Sequence, residues 1–129
     1  MHQPLAYIHS DTNIARNVVI EPFVTIEKNV VIGEGTWIGS NVTIMEGARI
    51  GKNCKISSGV TIGPNTSIGD NVIIENVDKQ SSIDIENSII MSDCSIKGSI
   101  KIRQSIISSK CTIKRNDNGL EDKILLLGE

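Results

Sequence analysis

The chain has 129 residues, enough for one domain with a buried core, and its net charge of −2 gives no electrostatic footprint for nucleic acid or an anionic membrane surface. With one Trp, one Tyr and one Phe, the core cannot rest on aromatics as in a common sandwich or bundle, so branched aliphatics must fill it. No apolar run approaches membrane-spanning length, the first residues have neither a basic nor an apolar leader region, and three cysteines without a Cys-x-x-Cys pair suit a reduced, cytoplasmic setting.

From residue 8 the chain repeats. Ile stands at 8, 14, 20, 26, 32, 38, 44, 50, 56, 62, 68 and 74, and Ile73 is the only other Ile before residue 75. Two residues before these Ile positions lies a small or β-branched residue: Thr12, Val18, Val24, Val30, Thr36, Val42, Ala48, Cys54, Val60, Thr66, Val72. Residues two apart on a strand share a face, so both point inward and the residue between them points out. Three residues after Ile come Asn17, Asn29, Gly35, Asn41, Gly47, Asn53, Gly59, Asn65 and Asn71, residue types that tolerate the positive φ of a tight corner. Each hexad predicts a short strand plus a corner, and three hexads predict one triangular coil whose strands pair in parallel with the next, ~4.8 Å away.

Ile85, Ile90, Ile96, Ile102, Ile107 and Ile113 continue at steps of 5, 6, 6, 5 and 6, so one corner is shortened in successive coils. The stretch 76–82 fits neither scheme, because Lys79 or Gln80 would fall at an inward position, and it is expected to be a loop or bulge. At Lys114 the pattern stops; Asn116–Gly119 predicts a turn and Leu120–Leu127 an apolar cap over the last coil. The expected organisation is a β-helix over 1–113, of about six coils, and a turn and capping segment over 114–129.

Gln3-Pro-Leu-Ala-Tyr-Ile-His9 and the run Asn17–Cys54 (NVVIEPFVTIEKNVVIGEGTWIGSNVTIMEGARIGKNC) resemble the start of the UDP-N-acetylglucosamine O-acyltransferase family of lipid A synthesis. From about Gly63 to Ile113 (IGPNTSIGDNVIIEN, then IENSIIMSDCSIKG) the chain is similar to the C-terminal β-helix of long-form glucose-1-phosphate thymidylyltransferases, as is the closing Leu-Leu-Leu-Gly-Glu. The chain therefore reads as a composite; a natural recombinant and an engineered chimera both fit, and the near-perfect register slightly favours construction. The resemblance implies an all-β fold, a single-stranded left-handed parallel β-helix, against the right-handed rule for most parallel crossovers. It also implies a homotrimer.

Acyl transfer needs a general base, usually His. Only His2 and His9 are present, both at the N-terminal edge, whereas the resembled acyltransferases use a His in later coils. No catalytic residue is assigned, and no His cluster exists to hold a metal. Cys94 and Cys111 are expected in one inward column as buried free thiols, with Cys54 at the same kind of position on another side. The glycines after Ile (Gly33, Gly39, Gly51, Gly63, Gly69) follow the coil rather than a phosphate loop. Thr25, Thr43 and Thr61, continued by Ser95 and Thr112, are expected as an outward β-prone column, with ice binding disfavoured because no second Thr column runs beside it. Val19, Trp37, Ile73, Ile89 and Ile106, interrupted by Lys55, are expected as an outward apolar column for subunit contact around a three-fold axis. The reading favours a β-helix scaffold or oligomerisation domain without complete catalytic machinery, with no cofactor, no nucleic acid and no membrane insertion. Two alternatives stay open. One is an acyltransferase moving an acyl group from CoA or acyl-carrier protein to a nucleotide sugar, either of which would then be a ligand. The other is the C-terminal domain of a sugar-1-phosphate nucleotidyltransferase.

Overall fold

A hexad with an outward residue beside an inward Ile makes a strand of two residues, and the fold is that unit wound round three faces. The structure, a computed structural model, describes residues 5–76, 82–116 and 125–126. It is a left-handed parallel β-helix of about six coils, with no α-helix among the described residues. Face 1 stacks Tyr7–Ile8, Thr25–Ile26, Thr43–Ile44, Thr61–Ile62 and Ile83–Glu86, and ends on the second half of the long strand Ser95–Arg103. Face 2 stacks Asn13–Ile14, Val31–Ile32, Arg49–Ile50, Ser67–Ile68, Ile89–Ile90, Ile106–Ile107 and Leu125–Leu126. Face 3 stacks Val19–Ile20, Trp37–Ile38, Lys55–Ile56, Ile73–Glu75, the first half of Ser95–Arg103, and Thr112–Asn116.

The register places inward Ile on inward Ile in the successive coils, for example Ile26↔Ile44↔Ile62↔Ile85 on face 1, until Leu126 follows Ile107 on face 2. The side chains of Ile26, Ile44, Ile62, Ile74, Ile85 and Ile96 are fully buried. Branched side chains suit this ladder because their χ1 is already restricted and they pack in layers on a pleated surface. Each fully buried Ile contributes roughly 1.5–3 kcal/mol relative to exposure.

All nine corner residues expected to reach positive φ do so, at +54° to +60° for the asparagines and +78° to +83° for the glycines. Phe23 occupies the same corner position at φ +65°, where an aromatic residue has no local hydrogen bond to offset the Cβ clash. In the upper coils Asn87 and Gln104 take positive φ two residues after Ile rather than three. These are the shortened corners, and both join face 1 to face 2.

One expected register differs. Ile85 pairs with Ile62, so the spacing of eleven from Ile74 to Ile85 is a single step from face 3 to face 1. Counting by hexads allots that stretch two sides and moves every later residue one face onward. Residues 77–81 of the expected loop lie outside the described residues. At the other end, the repeat continues past the sequence boundary at Ile113. Strand Thr112–Asn116 follows Ser95–Ser99 in register, and Leu125–Leu126 pairs with Ile106–Ile107. The rest of the expected cap, 117–124 and 127–129, lies outside the described residues.

Candidate functional site

The shifted register divides the expected apolar column. Val19, Trp37 and Ile73 lie in line on face 3, with Lys55 between Trp37 and Ile73 and with Ser95 and Thr112 above. Ile89 and Ile106 lie on face 2, above Asn13, Val31, Arg49 and Ser67. The five residues therefore form two patches on neighbouring faces rather than one stripe. Val19, Ile73, Ile89 and Ile106 are 39–48% exposed, and Met91, beside Ile89, is 45% exposed. Trp37 is half-buried. The Lys55 ammonium sits 5.9 Å from its ring centroid and 3.4 Å from Glu75, which also meets Lys97 at 3.7 Å. These are solvent-screened contacts that orient side chains more than they stabilise the fold.

The threonine column is corrected by the same shift. Thr25, Thr43 and Thr61 do stack on face 1, but Asp84 and Lys101 follow them, while Ser95 and Thr112 stand on face 3. A single column of three threonines ending in charges is an ordinary wet strand face.

The face-2 patch borders a groove of about 560 Å³ running along the coil axis. Its apolar wall includes Val31, Ile89 and Met91, and its polar groups include Arg49, Lys52 and Ser92. Stacked glycines keep this strip free of side chains. A Cβ on Gly33 would lie 2.6 Å from the Gly51 carbonyl carbon, so close approach of successive coils requires glycine there. Asp70 Oδ1 accepts the Lys52 backbone N–H at 2.8 Å, and among the described residues neither Arg49 nor the Lys52 ammonium has an ion pair. The sequence marked these glycines as part of the coil; Arg49 and Lys52 lie three residues apart within one coil, and stacking brings them beside Val31 below and Ile89 and Met91 above.

His2 lies outside the described residues. His9 stands beside a hollow of about 410 Å³ near the first coil, with Ile8, Ser10, Thr12 and Ile14. Its Nδ1 accepts the Asp11 backbone N–H at 2.9 Å, closing a local turn. At the first coils Leu5, Tyr7 and Phe23 are each 58–60% exposed, and the Phe23 N–H donates to the Leu5 carbonyl at 3.3 Å; the repeat analysis did not single them out because none of the three sits at the inward positions it tracked.

All three cysteines fall in one inward column of face 3, and Cys54 is not on another side as expected. Backbone bonds climb from Trp37 to Cys54, from Lys55 to Val72, from Ile73 to Cys94 and from Ser95 to Cys111, placing Cys54, Val72, Cys94 and Cys111 on successive rungs. The column also has a shared polar role. Thr36 Oγ1 donates to the Gly51 carbonyl at 2.8 Å, Cys54 Sγ to that of Gly69 at 3.0 Å, and Cys94 Sγ to that of Ser108 at 3.1 Å. Burial pushes the Cys54 and Cys94 thiols up from their ordinary range, keeping them neutral. Among the described residues no group of three or more His, Cys, Asp or Glu could hold a metal ion, and no helix is long and apolar enough to cross a membrane.

A family model described as the GMPPB C-terminal domain matches residues 50–126, and one described as bacterial transferase hexapeptide (six repeats) matches residues 29–64. The two matches overlap across 50–64, so the resemblances grade into one another within continuous coils. No curated protein matches the chain. Among solved structures, the acetyltransferase domain of PglB from Neisseria gonorrhoeae, in complex with acetyl coenzyme A, is similar with TM-score 0.77 and 16% identity, covering 94% of this chain and 54% of that one. PerB from Caulobacter crescentus, in complex with CoA and GDP-perosamine, has TM-score 0.71 and 15% identity, covering 91% and 55%. At those identities the likeness is one of fold. UDP-N-acetylglucosamine acyltransferase from Francisella novicida is 30% identical with TM-score 0.57, covering 87% and 55%. The chain spans about half the length of each of these proteins.

Proposed function

The chain belongs to the GMPPB C-terminal domain family, and we propose that it works as a β-helical assembly module, joining copies of itself into a trimer and carrying no complete acyl-transfer centre of its own. The observation that carries this reading is the pair of unlike apolar patches on adjacent faces: Val19, Trp37 and Ile73 on face 3, Ile89 and Ile106 on face 2. A ring around a three-fold axis needs a heterologous contact, one patch of each protomer against a different patch of the next, and two unlike patches on neighbouring faces are of the kind such a contact draws on. Apolar side chains left 39–48% exposed on two faces, the face-3 set interrupted by Lys55, are what such a contact would cover. The working division is a β-helix body over 1–113, lengthened by its last strand to Asn116, with the remainder as a cap. Three free thiols suit a reducing, cytoplasmic setting.

The test is solution mass by light scattering. A trimer is expected for the native chain, and Ile89→Glu combined with Val19→Glu should give a folded monomer. A native chain that is monomeric at all concentrations refutes the assembly reading.

The groove favours a second reading, a β-helix that holds a nucleotide sugar or acyl-CoA. Arg49 and Lys52 beside an apolar wall suit a ligand with both a phosphate and an apolar portion. Thermal-shift titration with acetyl-CoA and with a nucleotide sugar separates the readings. A saturable shift abolished by Arg49→Ala supports ligand binding; no shift with either ligand leaves assembly alone.

A further inference from the structure

Among the cysteines, Val72 separates Cys54 from Cys94, and no rung separates Cys94 from Cys111. We infer that Cys94 and Cys111 form a thiol–disulfide site that clasps the last two coils of face 3.

The geometry is that of consecutive rungs in a parallel ladder. Ser95 pairs with Thr112, and the Ser95 N–H donates to the Cys111 carbonyl at 2.9 Å, so the two cysteines are in register. Successive rungs lie about 4.8 Å apart with their side chains on the same face. That spacing falls within the roughly 4.4–6.8 Å Cα separation that disulfides span. The two thiols differ in access: Cys94 is 2% exposed, whereas Cys111 is only partly buried at the edge of the core. Cys111 is therefore the entry point and Cys94 the resolving thiol.

The oxidant belongs to the class of small-molecule disulfides, such as oxidised glutathione. Cys111, as thiolate, attacks one sulfur of that disulfide; a Cys111–glutathione bond forms, the glutathione S–S bond breaks, and one glutathione thiolate leaves. Cys94 then gives up its proton to solvent and its bond to the Ser108 carbonyl, and attacks Cys111 Sγ. The Cys94–Cys111 bond forms and the second glutathione leaves. Two protein thiols are oxidised and one small disulfide is reduced to two thiols. Burial keeps Cys94 protonated, so this second step is slow near neutrality and quickens as pH rises. In-register parallel strands hold Cβ atoms farther apart than the roughly 3.8 Å a relaxed disulfide adopts, so the clasp is strained and readily reversed by reductant.

The native protein is incubated with oxidised glutathione at about pH 8, where a thiolate fraction is present. It is then quenched with acid, unfolded in denaturant, its free thiols are alkylated, and it is mapped by peptide mass. The expected product is a Cys94–Cys111 cross-link, lighter by two hydrogens, with a single alkyl label on Cys54; added dithiothreitol restores three labels. Cys54→Ser should give the same cross-link and no label. Cys94→Ser should stop at a stable glutathione adduct on Cys111. The proposal is overturned by three labels on the oxidised native protein, by an adduct on Cys111 that persists with Cys94 intact, or by any cross-link that includes Cys54. The decisive readings are made on the native chain and do not depend on a variant folding.

Discussion

Ile62→Ala probes the isoleucine ladder where it is most constrained. Ile62 is fully buried, with Ile44 below it and Ile85 above, both also fully buried. The substitution removes three carbons, worth about 0.8 kcal/mol each in transfer, or roughly 2.4 kcal/mol before any cavity term. The neighbours cannot move in to fill the space, because the Met45 N–H bonds the Ile62 carbonyl at 2.9 Å and the Gly63 N–H bonds that of Ile85, fixing the coil spacing on both sides. The cost should therefore fall in the upper part of the roughly 2–5 kcal/mol range for such truncations, about 4 kcal/mol. Ile8→Ala, on the first coil where the side chain is only partly buried, should cost less than half of that. Urea unfolding of both variants at one protein concentration, so that association contributes equally, measures the difference. Equal losses for the two variants, or a loss below about 1 kcal/mol at Ile62, would refute the view that stacked isoleucines in a fixed-pitch ladder hold the fold.

Asn41→Ala should cost about 1 kcal/mol, because at φ +59° alanine keeps the Cβ clash and loses the polar side chain that lets asparagine tolerate it, whereas Asn41→Gly should stay within a few tenths, relief of the clash offsetting the greater chain entropy; thermal melting of the two variants reads this directly. Gly33→Ala should destabilise by about 1–3 kcal/mol, although it raises intrinsic chain stiffness, because its methyl meets the Gly51 backbone. A urea midpoint equal to that of the parent would remove the close-approach argument. For pH, the Cys54 thiol is raised in the fold, so the unfolded chain releases its proton first as pH climbs past the ordinary thiol range of about 8.5. Between that value and the folded one the native state binds more protons, so stability falls with rising pH, and below it this group has no effect. The urea midpoint should drop more steeply above about pH 9 for the parent than for Cys54→Val, and parallel curves would count against a buried neutral thiol.

Much of the fold was legible in the residues because a hexad is a local rule. Asn17, Asn41 and Gly47 announce their corners through what their own backbones tolerate, and Ile26 or Ile44 announces its inward place by its distance from those corners. The candidate site was legible only in pieces. Val19, Trp37, Ile89 and Ile106 can each be recognised as outward and apolar, yet nothing local says that Ile89 shares a face with Ser67 rather than with Ile73. The groove that sets Arg49 and Lys52 beside Ile89 and Met91, and the adjacency of Cys54 to the column of Cys94 and Cys111, have the same origin, since each joins residues from different coils.

The sequence by itself thus determined the coil: a strand of two residues, a corner with positive φ, and an interior of stacked isoleucines down to Ile74. Those features depend on spacings of two, three and six residues, within which backbone geometry leaves little choice. Only the tertiary structure decided which face each residue beyond Ile74 occupies. Across the eleven residues to Ile85 a step of one side and a step of two sides both place Ile85 inward, and local propensity cannot separate them. Pairing with Ile62 does, because a strand gains its ladder hydrogen bonds and its buried neighbours only against the coil beneath it. That single pairing divides the apolar strip between two faces and brings the three cysteines into one column.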